Sequence, residues 1–207
     1  MSHPPDRSDS LEAWIPRGLL ELQAEHPVPA CTREGLTPIQ IHWCDGVLED
    51  LRPLDADQSP PGHVVLPRLV DAHVHLDKAF TWHEHPNLLG TYEGALNANL
   101  AEHQSRSVEV VLSRGERALQ QAFIHGLRAV RSHIDSGGPG AASSWEALEL
   151  LQRRWHGRVE LQLVALAPLA FWTSAEAESM AERLARCDGL LGGVLDPSML
   201  GPAVDQQ

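Results

Sequence analysis

A chain of 207 residues with 43% hydrophobic and 21% charged residues has the composition of a folded globular protein, enough for one large domain or one domain with a small appendage. Its formal charge of -12 argues against a nucleic-acid backbone or an anionic membrane as the main partner. The start has no basic n-region followed by an apolar core, and no apolar run reaches the about 18 residues of a bilayer span. Cys31, Cys44 and Cys187 show no CxxC spacing, so a cytoplasmic protein with free thiols is expected.

Residues 1 to about 10 are polar and proline-rich and are expected to fray. "AWIPRGLLEL" reads as a short strand. In "TPIQIHWCDGVLEDLRPL", Ile39, Ile41 and Trp43 alternate, Asp45-Gly46 supplies a tight turn, and Val47-Leu48 resumes the strand, which predicts a β-hairpin. "DADQSPPG" has the composition of a linker. Residues 1–64 therefore read as a small β module, and residues 65–207 as a second domain.

From residue 65 onward the pattern is strand-helix alternation. A strand through "HVVLPRLVDAHVHLD" is followed by a long loop from about Lys78 to about Tyr92 and a helix over "EGALNANLAEH". "SVEVVLSRGERALQQAFIHG" predicts a second helix with Val111, Ala118, Ala122 and Phe123 as its apolar positions, closed by Gly126. "LRAVRSHID" and "RVELQLVALAP" are strands, with the helix "SSWEALELLQRRW" between them. A helix over "TSAEAESMAERLARCDG", opened by a Thr173/Glu176 capping box and closed by Gly189, leads to a fourth strand, "LLGGVL". Such β-α alternation predicts an α/β fold with a parallel sheet covered by helices on its outside.

The chemistry concentrates in "LPRLVDAHVHLDKAFT". In an extended strand, residues i and i+2 point the same way, so Asp71, His73, His75 and Asp77 share one face and Ala72, Val74 and Leu76 the other. Helices want the apolar face, which turns the imidazoles and carboxylates toward the inside of a curved sheet. Burying those groups costs several kcal/mol unless they are paired or ligate something. A divalent cation held by His73 and His75 would resolve that cost; other side chains could also do so.

The run "LVDAHVHLDK" resembles the first barrel strand of the metal-dependent amidohydrolase superfamily, and "HVHLDKAFT", "GLRAVRSHID" and "VELQLVAL" together resemble its cytosine-deaminase-like branch. That resemblance implies a (β/α)8 TIM-type barrel with a small β-sandwich. It also implies hydrolysis of a C–N bond in a cyclic amide or amidine by water activated on one divalent ion, zinc or iron. His73 and His75 match the two metal ligands of the first strand, and Asp77 matches the "HLD" as a residue that supports the ligands rather than a ligand itself. Family members carry a further metal-binding histidine, a catalytic glutamate and a metal-binding aspartate on later strands. A whole barrel takes about 250 residues, so residues 65–207 are expected to supply only its first half, about four βα units, with no catalytic residue of their own.

Within this chain, His133 and Asp135 share a strand parity at a C-terminal strand end, where they could line a substrate pocket or simply pack. His83 and His85 could belong to a lid or to a solvated loop. Cytosine deaminases place a glutamine just past the third strand. Here "ALAPLAFW" offers none, although Phe171 and Trp172 could stack on a planar ring or serve as an apolar contact. The expected partners are a small-molecule substrate once the barrel is completed, and either a second copy or a complementing C-terminal half. The alternative is a non-catalytic remnant that binds metal or another protein through an open sheet edge.

Overall fold

The computed structural model describes residues 8–21, 31–54 and 62–195, so all but the last residue of the linker expected at 55–62, and the two chain ends, lie outside the described residues. The chain divides into two compact units between Pro67 and Arg68.

The first unit is a three-stranded antiparallel sheet in the order β1-β2-β3, formed by β1 (Ser8–Pro16), β2 (Leu36–Cys44) and β3 (Val47–Pro53). Asp45 (φ 48°) and Gly46 (φ 79°) make the two-residue turn that the hairpin needs, and Cys44 faces Val47 across it. Two successive left-handed residues match the right-handed twist of the strands, which is why Asp-Gly serves there. Ala13, Ile15 and Ile39 are the buried apolar side chains of this unit. The "AWIPRGLLEL" strand ends at Pro16, and Arg17–Leu19 turn into a 3-10 helix.

The second unit is a curled sheet of four parallel strands in the order β4-β5-β6-β7, formed by β4 (Leu69–Val74), β5 (Leu127–Asp135), β6 (Glu160–Pro168) and β7 (Leu190–Val194). Helices α1 (Tyr92–His103) and α2 (Val108–Ile124) join β4 to β5, α3 (Ala141–Trp155) joins β5 to β6, and α4 (Glu176–Arg186) joins β6 to β7. This is a half-barrel of the kind expected from the sequence. Among the described residues no helix is long and apolar enough to cross a membrane.

The core lies between the sheet and its helices. Val130 and Ile134 of β5 and Leu161, Leu163 and Ala165 of β6 pack against Val111 and Leu119 of α2 and Trp145, Leu148 and Leu151 of α3. Helices α2 and α3 approach closely at Gly115, where a Cβ would stand 2.5 Å from Leu151 Cδ1. Of the apolar positions expected on α2, Val111 lies in the core with Leu119 and Ala118 packs against it, whereas Phe123 is 43% exposed and tilts over Trp155.

Two helix ends differ from the expected ones. The capping box does not form: the N-cap of α4 is Ala175 without a side-chain cap, and the Thr173 hydroxyl donates to the Ala170 carbonyl in a 3-10 turn, Leu169–Thr173. At the other end of α4 the left-handed residue is Asp188 (φ 50°), and Gly189 follows it, its N–H donating to Leu184 O at 2.8 Å. Gly189 has a packing reason instead, since a Cβ there would meet Leu184 Cδ2 at 2.5 Å.

Candidate metal centre

Strand β4 keeps strict alternation only in part. Its ladder with β5 pairs Asp71 with Val130 and Val74 with Ser132, so the interval on β4 is one residue longer than on β5. Such a bulge breaks the two-residue period. Asp71 therefore does not share a face with His73 as the sequence alone suggests; its Oδ1 accepts the His73 backbone N–H at 3.1 Å. Beyond the bulge the expectation for the apolar parity is met, because Val74 and Leu76 pack into the core under the helices.

The opposite parity gathers imidazoles. His73 and His133 stack with ring centroids 3.9 Å apart and planes 18° from parallel, and His75 meets His73 edge-on at 5.3 Å. His75 Nδ1 lies 2.7 Å from the His133 carbonyl oxygen. A carbonyl only accepts, so the proton sits on Nδ1 and Nε2 keeps its lone pair. Burial, then the neighbouring Lys78 charge, lowers the pKa of His75. Burial and the two other imidazoles lower that of His133. Both rings are thereby favoured in the neutral form that ligates metal. His133 Nδ1 is buried and has no hydrogen-bond partner among the described residues.

These features fit a divalent ion: neutral rings, one tautomer fixed by a carbonyl, and an orphaned ring nitrogen beside them. They fit it incompletely. Among the described residues no group of three or more His, Cys, Asp or Glu side chains is placed to hold a metal ion by itself.

Behind the imidazoles lies a polar network of Asp77, Asp135, Asn99, His103 and Arg106. Asp77 is fully buried in the 3-10 turn Leu76–Lys78 that follows β4. Its Oδ2 accepts from Arg106 Nη1 at 3.0 Å and from the Asp135 backbone N–H at 3.3 Å, while Oδ1 has no partner among the described residues. Burial pushes the Asp77 carboxyl above its ordinary value against the pull of Arg106. Asp135 is the second hub, with Oδ2 accepting from Lys78 Nζ at 2.8 Å, Asn99 Nδ2 at 3.0 Å and His103 Nε2 at 3.3 Å. Burial alone would raise the Asp135 carboxyl, but Lys78, Asn99 and Arg106 together hold it well below the usual carboxylate range.

Asn99, Glu102, His103 and Arg106 follow helical spacing along "NANLAEHQSR". That spacing was available in the sequence, but nothing there named the partner 29 positions upstream.

The other expected residues lie around this centre in different ways. Asp135, Asn99 and His103 border a cleft of about 350 Å³ at the C-terminal ends of β5 and β6, walled by Leu166, Pro168 and Val194. Trp172 packs against the core, and its Nε1 donates to the Gly192 carbonyl at 2.9 Å. Phe171 meets it edge-on at 5.2 Å. His83 is exposed in a short 3-10 turn, Thr81–His83, and His85 borders a separate cavity with Lys78, Trp82 and Asn99.

No protein-family model matches the sequence. Over 182 residues the chain is 32% identical to the pterin deaminase of Rhizobium rhizogenes strain K84, a match that covers 84% of this chain and 41% of that protein. It is 28% identical over 144 residues to the N-isopropylammelide isopropyl amidohydrolase of Pseudomonas sp. strain ADP, covering 66% of this chain and 35% of that one. The chain thus spans less than half the length of either curated relative. Among solved structures, the 5-methylcytosine deaminase of Klebsiella pneumoniae liganded with phosphonocytosine superposes with a TM-score of 0.67 at 19% identity, over 89% of this chain and 43% of that one. At that identity the likeness speaks for the fold.

Proposed function

We propose, from the premise that this chain belongs with the deaminase branch of the amidohydrolase superfamily and corresponds to the N-terminal half of its members, that His73 and His75 are two ligands of a divalent metal site for C–N bond hydrolysis in a cyclic amide or amidine. The observation that carries this reading is the His75 Nδ1 contact with the His133 carbonyl, which leaves Nε2 free beside His73. A bound zinc or iron ion would supply Lewis-acid activation of a water molecule. His133 stacks on His73 and would border a bound ion, and Asp77, which accepts the Asp135 N–H, would support the turn after His75 rather than ligate.

Asp135 is engaged by Lys78, Asn99, His103 and Arg106, so its part in substrate binding is to shape the floor of the cleft and fix the amide of Asn99 there. The proton-transfer carboxylate, which moves a proton from water to the leaving amine, comes from outside the described residues. A whole site therefore requires the rest of a barrel, supplied by further chain or by a separate one.

The test is turnover of a panel containing a pterin, 5-methylcytosine and N-isopropylammelide by the purified 207-residue chain, alone and after mixing with the C-terminal remainder of the pterin deaminase. The chain alone is expected to turn over none of them. Turnover by the chain alone, abolished by a chelator, would show that the described residues suffice and that the incomplete-site reading is wrong.

A further inference from the structure

The ladder between β4 and β5 ends at Val74↔Ser132, one residue before His75. From there the chain is held to β5 by side chains. His75 bonds the His133 carbonyl, the Leu76 N–H donates to Ser132 Oγ at 3.1 Å, and Asp77 Oδ2 accepts the Asp135 N–H at 3.3 Å. The last of these tethers depends on where the Asp77 carboxylate is held, and Arg106 holds it.

The Arg106 guanidinium donates four hydrogen bonds and lies within ion-pair distance of a further carboxylate. Nε donates to Glu102 Oε2 at 2.6 Å, Nη1 to Asp77 Oδ2 at 3.0 Å and Ser144 Oγ at 3.3 Å, and Nη2 to Asn99 Oδ1 at 3.1 Å, with Asp135 Oδ2 at 3.5 Å. The side chain is fully buried. Glu102 is also paired with Arg114 and Asp135 with Lys78, so Asp77, Glu102 and Asp135 are balanced by Arg106, Arg114 and Lys78. Charge balance alone would be satisfied by an ammonium. The five-donor fork is what reaches Asp77, Asn99, Glu102 and Ser144 at once, and an ammonium has three donors at a single point. Gly140 leaves the room: a Cβ there would stand 2.8 Å from Arg106 Cδ and 2.9 Å from the His103 carbonyl oxygen.

We infer that Arg106 is a positioning residue of the candidate metal centre: its fork holds Asp77 against the end of β5 and thereby keeps His75 bonded to the His133 carbonyl with Nε2 presented beside His73. The inference rests on the metal reading above for its purpose but not for its geometry.

The experiment compares the wild-type chain with Arg106→Lys and Gly140→Ala by nitrogen-15 NMR of the imidazoles without metal, and then by cobalt(II) titration. Arg106→Lys keeps the charge and removes the fork; Gly140→Ala keeps Arg106 and crowds its Cδ together with the His103 carbonyl, at a φ of -85° that alanine can adopt. In wild type, the His75 Nδ1 proton is expected as a slowly exchanging, hydrogen-bonded signal. Both variants should lose that signal and weaken cobalt(II) binding about tenfold, the scale on which supports of a metal ligand act. A folded variant of either kind with the His75 signal unchanged overturns the inference, whatever the cobalt result. Loss of the signal in the variants, in a wild-type chain that takes up no cobalt(II), would support the positioning role and sink the metal reading.

Discussion

Strands β4 and β5 lie side by side in one parallel sheet, yet they are built for opposite ends. In β5, Val130, Ser132 and Ile134 are buried beneath α2 and α3. In β4 every residue from Leu69 to His73 is exposed, Leu69 at 58% and Val70 at 64%, and the pairing with β5 carries a bulge. The difference teaches where stability and chemistry reside. The centre of the sheet is held by apolar burial, whereas the end of β4, where His73 and His75 sit, adds hydrogen bonds and ion pairs to its neighbour to the packing of Val74 and Leu76. If His73 and His75 are the ligands proposed above, the polar side of that strand end is left without apolar cover, and the buried charge network of Asp77, Asp135 and Arg106 steadies it.

The largest effect that can break this comparison is in the core. Leu151→Ala should destabilise the chain by about 2–5 kcal/mol, since Leu151 is fully buried between α2 and the sheet; chemical denaturation reads the loss. A loss below about 1 kcal/mol would mean that the helix-covered side is not what holds the unit together.

Next comes the charge network. Asp135 is held below its unfolded value near 3.9, so its contribution to stability is complete above about pH 4 and is lost as the pH falls further. Asp135→Asn should lower stability at neutral pH and flatten the acid limb of a melting-temperature profile. An unchanged acid limb would show that Lys78 and Asn99 do not act on that carboxylate as their 2.8 and 3.0 Å contacts imply.

The edges come third. Strands β4 and β7 each have one unpaired side among the described strands, and Leu191 is 64% exposed on a strand with no charge to deter pairing. Light scattering of the isolated chain should report a dimer or larger species, and Leu191→Lys should shift it toward monomer. A cooperatively melting wild-type monomer would show that the chain covers its own edges. The smallest effect is expected on the exposed side of β4, where Val70→Thr should change stability by no more than about 0.5 kcal/mol.

Much of this division was legible in the sequence. The Asp45-Gly46 turn demands left-handed backbone that few other pairs adopt, and the alternation of β5, with Val130 and Ile134 buried and Arg131 and His133 between them, marks a strand covered by helices on one face. Val74 and Leu76 were placed correctly because beyond the bulge the alternation is intact. Asp71 was misplaced because a bulge leaves no mark in the residue types. The capping box failed for a related reason: Thr173 and Glu176 have the right spacing, but Pro168 starts a 3-10 turn that engages the Thr173 hydroxyl first. Arg106 stayed hidden because its partners Asp77 and Ser144 lie 29 and 38 positions away, a closure that only the folded chain makes.

The central claim, that the end of β4 carries metal ligands, is tested most directly by elemental analysis and zinc titration of the wild-type chain against the double variant His73→Ala, His75→Ala. Wild type should take up one divalent ion weakly and the double variant none. Equal metal content in the two would contradict the assignment.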